Sequence, residues 1–209
     1  MSMGLIGQKM GMAQIYDENG NSISVTVVKT GPCTVIDIKD IEKDGYKAVK
    51  IGYKEEDEKR LNKAQLGQFR KNGLKPMRYL REVRLDDVSS YKIGDILTAS
   101  DVFSEYKSVN VHGVSKGKGY QGVIKRHNFK GGPGGHGSHF KRAPGSIGMC
   151  ADPSRVFKGT KMPGQMGSEN VTVKNLKIIK IDAEKNLVLI KGSIPGAKGN
   201  LVFVAGHKK

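Results

Sequence analysis

Ser108-Val109-Asn110-Val111-His112-Gly113-Val114-Ser115-Lys116-Gly117-Lys118-Gly119 is the stretch on which the fold turns. Val109 and Val111 alternate with polar neighbours, as in a half-buried strand, and the pattern then gives way to lysine and glycine. The new composition lasts until Gly167. From Lys107 to Gly167 the cations are Lys107, Lys116, Lys118, Lys125, Arg126, Lys130, Lys141, Arg142, Arg155, Lys158 and Lys161, against the single acid Asp152. That is +10 of the chain's formal charge of +16. Half of the glycines, 14 of 28, fall in the same tract. Such a segment repels itself and lacks the large apolar side chains of a core, so alone it should be poorly ordered. A polyanion would supply what it lacks, and RNA is the obvious one.

Period-two patterns lie on both sides of the tract. Before it, Ile23, Val25 and Val27 follow Asn19-Gly20, a hairpin signal in which both residues tolerate positive φ. Val35, Ile36 and Ile38 come after the Gly31-Pro32 break, and Val49, Ile51 and Tyr53 alternate with Lys50, Gly52 and Lys54. Gly4, Gly7 and Gly11 punctuate the first strand and suggest bulges or tight bends. Good helix formers from Glu55 to Phe69, weakened by Gly67, read as a peripheral insertion. Val83, Leu85 and the Tyr91–Leu97 stretch return to short strands, and Asp101–Tyr106 to a helical turn or loop. After the tract come Val171 and Val173, then Leu176, Ile178, Ile179 and Ile181. Leu187–Ile190 and Leu201–Val204 follow, separated by turns.

The simplest architecture is mainly β: a small antiparallel barrel built from both chain ends, with the tract as a long excursion. The domains expected are a discontinuous β domain over 1–111 and 168–209, with an insertion at about 55–80, and an extended loop over 112–167. A loop of that length counts against an assignment unless it is functional, and here composition favours function.

Two cysteines, Cys33 and Cys150, form no framework and predict a reducing compartment. No signal-peptide pattern and no apolar run of about 18 residues is read, so neither secretion nor a membrane is expected.

Within the tract, glycines let the backbone approach phosphates, cations neutralise them, and Tyr120, Phe129, Phe140 and Phe157 with His127, His136 and His139 offer faces for unpaired bases. The bland alternative is a solvated basic loop. Gly131-Gly132-Pro133-Gly134-Gly135 has no Gly-Lys-Ser/Thr ending and no strand-to-helix context, so nucleotide-loop readings fail. His136, His139 and Cys150 make a weak zinc pattern, and Ser138 lacks a nucleophile elbow. Two rival readings remain: a metal-dependent or RNA-modifying enzyme using His136, His139 and Cys150, and a free-standing RNA chaperone.

Longer stretches add a resemblance. Gly4-Leu5-Ile6-Gly7-Gln8-Lys9-Met10-Gly11-Met12, His112 through Gly122, His136 through Gly148, Arg155-Val156-Phe157-Lys158-Gly159 and Lys161 through Gly167 occur in family order. With them the chain resembles the bacterial large-ribosomal-subunit protein L-three family over nearly its whole length. The resemblance implies a six-stranded, translation-factor-like barrel and a non-enzymatic structural constituent of the large subunit. It implies binding to 23S rRNA, early action in assembly, and an extension toward the peptidyl transferase centre with its tip near Pro144–Pro153. It further implies contacts with the large-subunit proteins L-fourteen and L-nineteen. Some relatives carry a methylated glutamine at the tip; Met149, Cys150 and Ala151 stand there in this chain, so that modification is not carried over. The Glu55–Lys75 insertion has no close match.

On this reading Lys116, Lys118, Lys125, Arg126, Lys130, Lys141, Arg142, Arg155, Lys158 and Lys161 contact phosphates, which position RNA without reading its sequence. Tyr120, His127, Phe129, His136, His139, Phe140 and Phe157 stack on bases or meet their edges. No catalytic residue, protein-bound metal or cofactor is expected beyond structural Mg2+ held through the rRNA. No homo-oligomer is expected, and the location is the cytoplasmic ribosome.

Overall fold

The structure, a computed structural model, describes residues 3–207. Met1, Ser2, Lys208 and Lys209, assigned above to the β domain, lie outside the described residues. Two compact units are present: one runs to Val114 and resumes at Asn170, and the other is Ser115–Glu169.

In the first unit, β1 (Gly4–Tyr16) and β2 (Ser22–Thr30) form a hairpin. Its turn is longer than the Asn19-Gly20 signal suggested, because Tyr16 pairs with Ser22 and only Gly20 takes positive φ. The Asp17 carboxylate accepts the N–H groups of Asn21 at 2.7 Å and Asn19 at 3.0 Å. Those local bonds, chiefly from Asn21, favour the wider loop and hold the carboxyl below its ordinary range. Of the β1 glycines, Gly11 marks a bulge, where the register shifts after Lys9. Gly4 instead allows close approach, since a Cβ there would sit 2.6 Å from the Val204 carbonyl oxygen.

Next come β3 (Cys33–Lys39), α1 (Ile41–Asp44), β4 (Ala48–Glu55), a 3-10 turn (Glu58–Arg60), α2 (Lys63–Lys71), β5 (Met77–Arg84), β6 (Ile96–Leu97), α3 (Ala99–Phe103) and β7 (Ser108–Val114). Helix α2 forms despite Gly67 because Asn62 caps it reciprocally. Asn62 accepts from Gln65 N–H at 2.7 Å, and the Gln65 side chain accepts from Asn62 N–H at 3.3 Å. A capping box contributes about 1 kcal/mol, comparable to the cost of one helical glycine. The Tyr91–Leu97 strand shrinks to two residues. Gly94 takes φ 94°, its N–H bonds the Val35 carbonyl at 2.8 Å, and Asp95 accepts from Lys92 N–H, so 92–95 is a turn.

After the second unit the chain continues as β10 (Asn170–Asp182), β11 (Leu187–Lys191) and β12 (Leu201–His207). Strand β10 is continuous where the sequence pattern broke, because a bulge between Val173 and Leu176 shifts its alternation. Six strands close an antiparallel ring in the order β1-β12-β7-β10-β11-β2, with β2 pairing back to β1. Strands β5-β4-β3-β6 make a separate four-stranded antiparallel sheet and do not enter the ring.

One apolar core serves both sheets. Leu5, Val28, Val109, Val111, Val188, Ile190 and Val204 of the ring and Val35, Val49 and Ile51 of the second sheet are fully buried in it. Burying such a side chain contributes roughly 1.5–3 kcal/mol. Phe69 of α2 packs in a second small cluster with Ile36 and Met77. Gly52 keeps that cluster closed, because a Cβ there would meet Ile36 Cδ1 at 2.5 Å.

Candidate nucleic-acid interface

The second unit contains β8 (Gly119–Gln121), α4 (Val123–His127) and β9 (Gly164–Met166). Its base is a ribbon in which Ser115 N–H donates to Glu169 O at 2.9 Å and Lys118 N–H to Met166 O at 2.9 Å. Tyr120 pairs with Gln165. The ribbon is narrow because Gly167, at φ 73°, lets the chain pass where a Cβ would be 2.2 Å from the Lys116 carbonyl. Lys116 and Lys118 stand exposed along it. The tract is thus not featureless, contrary to its composition, since glycine permits backbone pairing that needs no apolar core.

Helix α4 ends at Asn128, whose left-handed φ of 61° sends its N–H to the Val123 carbonyl. Lys125, Arg126 and His127 occupy its last turn, where carbonyl dipoles favour cations. Beyond it, Gly132 N–H donates to the Lys141 carbonyl at 3.1 Å and closes a loop over 133–140. A Cβ on Gly132 would lie 1.8 Å from the Phe140 carbonyl oxygen, so only glycine fits. Lys130, His136, His139, Lys141 and Arg142 are exposed around this closure. Farther along, the Arg155 guanidinium lies 5.7 Å from the Phe157 ring centre, and Thr160 Oγ1 donates to the Phe157 carbonyl at 2.8 Å.

Burial and pairing set this unit apart. Among its described residues Val123 alone is buried. Ten cations face only Asp152 and Glu169, and no ion pair among the described residues uses a cation of 115–169. In the first unit, by contrast, Arg60, Arg70, Lys75 and Arg78 each pair with a glutamate at 55, 56 or 58. The rings are available too: Tyr120 is 74%, Phe157 49% and Phe140 39% exposed. An array of unpaired cations and exposed rings on glycine-rich backbone can neutralise phosphates and stack on bases.

Not every expected contact residue is equally free. Arg126, His127 and Phe129 are half-buried, and Arg126 and His127 both bond the Met162 carbonyl. His136, His139 and Cys150 are not gathered; among the described residues no three His, Cys, Asp or Glu side chains are placed to hold a metal ion. Missed by sequence reasoning is a cluster in the first unit. Arg81 lies over Phe203 at 4.2 Å, and His112 is tilted against the same ring at 5.8 Å between centroids. Its members are far apart in the chain, and no local signal joins them.

Comparison with known proteins gives this geometry its family. The profile of the family described as Ribosomal protein L3 matches residues 82–186, a span holding β7, the whole second unit and β10. The large ribosomal subunit protein uL3 of Brachyspira hyodysenteriae is 52% identical over 207 residues, covering 99% of this chain and 95% of that protein. The uL3 of Geotalea daltonii is 51% identical over 209 residues, covering all of this chain and 99% of that protein. The chain belongs to the ribosomal protein L3 family. In this L3 chain the tract is the least buried part and also lies wholly inside the matched span, so the match does not rest on the core strands alone. Full-length agreement with the uL3 chains also takes in the Glu55–Lys75 segment.

Proposed function

We propose that this L3 protein is a non-enzymatic structural constituent of the large ribosomal subunit, acting in the cytoplasmic ribosome. Its six-stranded ring serves as a barrel of the translation-factor kind, and Ser115–Glu169 penetrates 23S rRNA toward the peptidyl transferase centre. The observation that carries the reading is the second unit's ten cations, none ion-paired among the described residues, over a segment with one buried side chain. RNA supplies both the counter-charge and the packing surface that the unit lacks. All seventeen candidate residues from Lys116 to Lys161 belong to this interface, with the exposed lysines and arginines on phosphates and the rings on bases. Arg126 and His127 also organise the unit's base. Early binding in assembly and contacts with the subunit proteins L-fourteen and L-nineteen follow the family pattern. Any Mg2+ is carried by the rRNA.

Limited proteolysis tests the reading. Trypsin should cut the free protein within 115–160 and leave the same bonds intact in the assembled subunit; equal resistance in both states counts against it. The double variant Lys141→Ala/Arg142→Ala should lower the salt slope of rRNA binding by about two. Sedimentation of cell extract separates this role from that of an RNA chaperone, which would travel largely outside the subunit.

A further inference from the structure

We propose that the first unit holds a second nucleotide-binding site, a cavity walled by Arg81, His112 and Phe203 that takes one unpaired nucleotide of the bound RNA. The inference rests on the protein's being an RNA-binding ribosomal protein, and not on any contact made by the second unit. The cavity, of about 870 Å3, lies against β5, β7 and β12. That is within the size range of about 300–1,000 Å3 for small-ligand sites, so a nucleotide fits.

Its walls offer flat surfaces and a cation together. The Arg81 guanidinium stacks on Phe203, and the His112 ring leans on the same phenyl. Tyr91 and Tyr106 line the cavity as well, and Arg84 stands at its rim with its guanidinium 5.2 Å from the Tyr46 ring centre. His112 Nδ1 is taken by Thr172 Oγ1 at 2.7 Å, and Nε2 is the ring nitrogen left for a ligand. Burial, then the Arg81 and Lys174 charges, depress the imidazole's pKa below its ordinary value.

Three carboxylates, Glu82, Asp86 and Asp87, also line the cavity. Glu82 accepts from Tyr46 OH at 2.9 Å, Asp87 accepts from Ser89 N–H at 3.0 Å, and Asp86 is not free. No ion pair among the described residues involves Arg81. The exposed Arg81 guanidinium has no ion-pair partner among the described residues, and the rings beside it call for a planar group. An apolar ligand would make no use of the cation, and a bare anion would leave the rings unused. A nucleotide satisfies both.

The test uses the full-length chain and transcribed 23S rRNA, with filter binding across a salt series and mapping of ultraviolet crosslinks to peptides. Arg81→Met should weaken binding about tenfold and lower the salt slope by about one. Peptides covering 78–91 and 201–207 should carry a crosslinked nucleotide. Arg81→Lys should restore the slope and only part of the affinity, because lysine keeps the charge and lacks the plane. Should Arg81→Met prove unstable on thermal melting, Arg81→Lys and the wild-type crosslinks decide. Wild-type affinity in both variants with no crosslink in those peptides overturns the site, even where Lys141→Ala/Arg142→Ala weakens binding. Loss in Arg81→Met with no effect of that double variant keeps the site and removes the reading of the second unit. Free AMP or UMP binding as tightly as RNA would identify a soluble nucleotide as the ligand and overturn the RNA source.

Discussion

Arg126 Nη1 donates to the Met162 carbonyl at 2.7 Å, and the same guanidinium fills the space that a side chain at residue 164 would need. A Cβ on Gly164 would lie 2.7 Å from Nη1 and 3.2 Å from Cζ. The last turn of α4 and the start of β9 are therefore held together by an arginine and a missing methyl group. Gly164→Ala should displace Arg126 and break this clasp, at a local cost of about 1–2 kcal/mol. Hydrogen exchange checks it: amides of 119–127 and 164–166 should lose protection while those of β1 and β12 keep theirs. Unchanged exchange at 119–127 would show that the clasp contributes nothing to the unit's order.

Lys9 is a buried cation with a structural task. Its Nζ donates to the carbonyls of Ile194 at 2.9 Å and Gly196 at 3.0 Å, pinning the turn between β11 and β12 onto β1. Lys9→Met keeps the length and leaves both carbonyls without this donor. Charged hydrogen bonds are worth about 1.5–3 kcal/mol each, so a loss of roughly 2–4 kcal/mol is expected. Calorimetry should show Tm falling by roughly 5–10 °C. The exposed Lys29→Met is the control and should move Tm little.

Ring strands such as β7 and β11 could be read from sequence because each has one buried face. Val109 and Val111, and Val188 and Ile190, are buried in alternation, whereas β10 was legible from its apolar spacing although none of its side chains is fully buried. Pairing could not be read the same way. Nothing local tells that Cys33–Lys39 and Ala48–Glu55 form a sheet apart from the ring, since partners are chosen by long-range register. Tyr91 to Leu97 imitates a strand in its apolar spacing, yet Gly94 and Asp95 bind backbone groups that make it a turn. Gly52 read as a polar slot in an alternation and proves to be where Ile36 and Met77 close. For the candidate interface, charge and glycine content were plain in the sequence. The double duty of Arg126 was not, because its partner Met162 lies across the tract, and the stack of Arg81 on Phe203 joins residues far apart in the chain.

The two cysteines should differ sharply in reactivity. Cys33 is fully buried and its thiol is pushed up to about 12, chiefly by burial, while its Sγ donates weakly to the Ile6 carbonyl at 3.5 Å. Cys150 is exposed. A disulfide reagent at pH 8 should titrate about one thiol per native chain quickly, and the second only in denaturant. The sign of the pH effect follows. A thiol pKa raised on folding stabilises the native state fully below the ordinary value of about 9, and that contribution is lost as pH rises toward about 12. Cys33→Ala should flatten this alkaline decline; two fast native thiols would show that the core around Cys33 opens.

Gly132 separates shape from charge at the candidate interface. Its N–H meets the Lys141 carbonyl at 3.1 Å, and an added Cβ would collide with the Phe140 carbonyl oxygen at 1.8 Å. Gly132→Ala must therefore open the closure that presents Phe140, Lys141 and Arg142, without removing a cation. Gly134, two residues on, has nothing within 4 Å of its would-be Cβ and no left-handed φ, so Gly134→Ala is the matched control. Binding to 23S rRNA should weaken about tenfold for Gly132→Ala and stay within about twofold for Gly134→Ala. An interface made of charge alone would treat the two alike, because electrostatic neutralisation needs cations near phosphates but no particular backbone path. If the closure matters, only Gly132→Ala loses affinity, and the loss persists at high salt, where screening has already removed most of the ionic contribution.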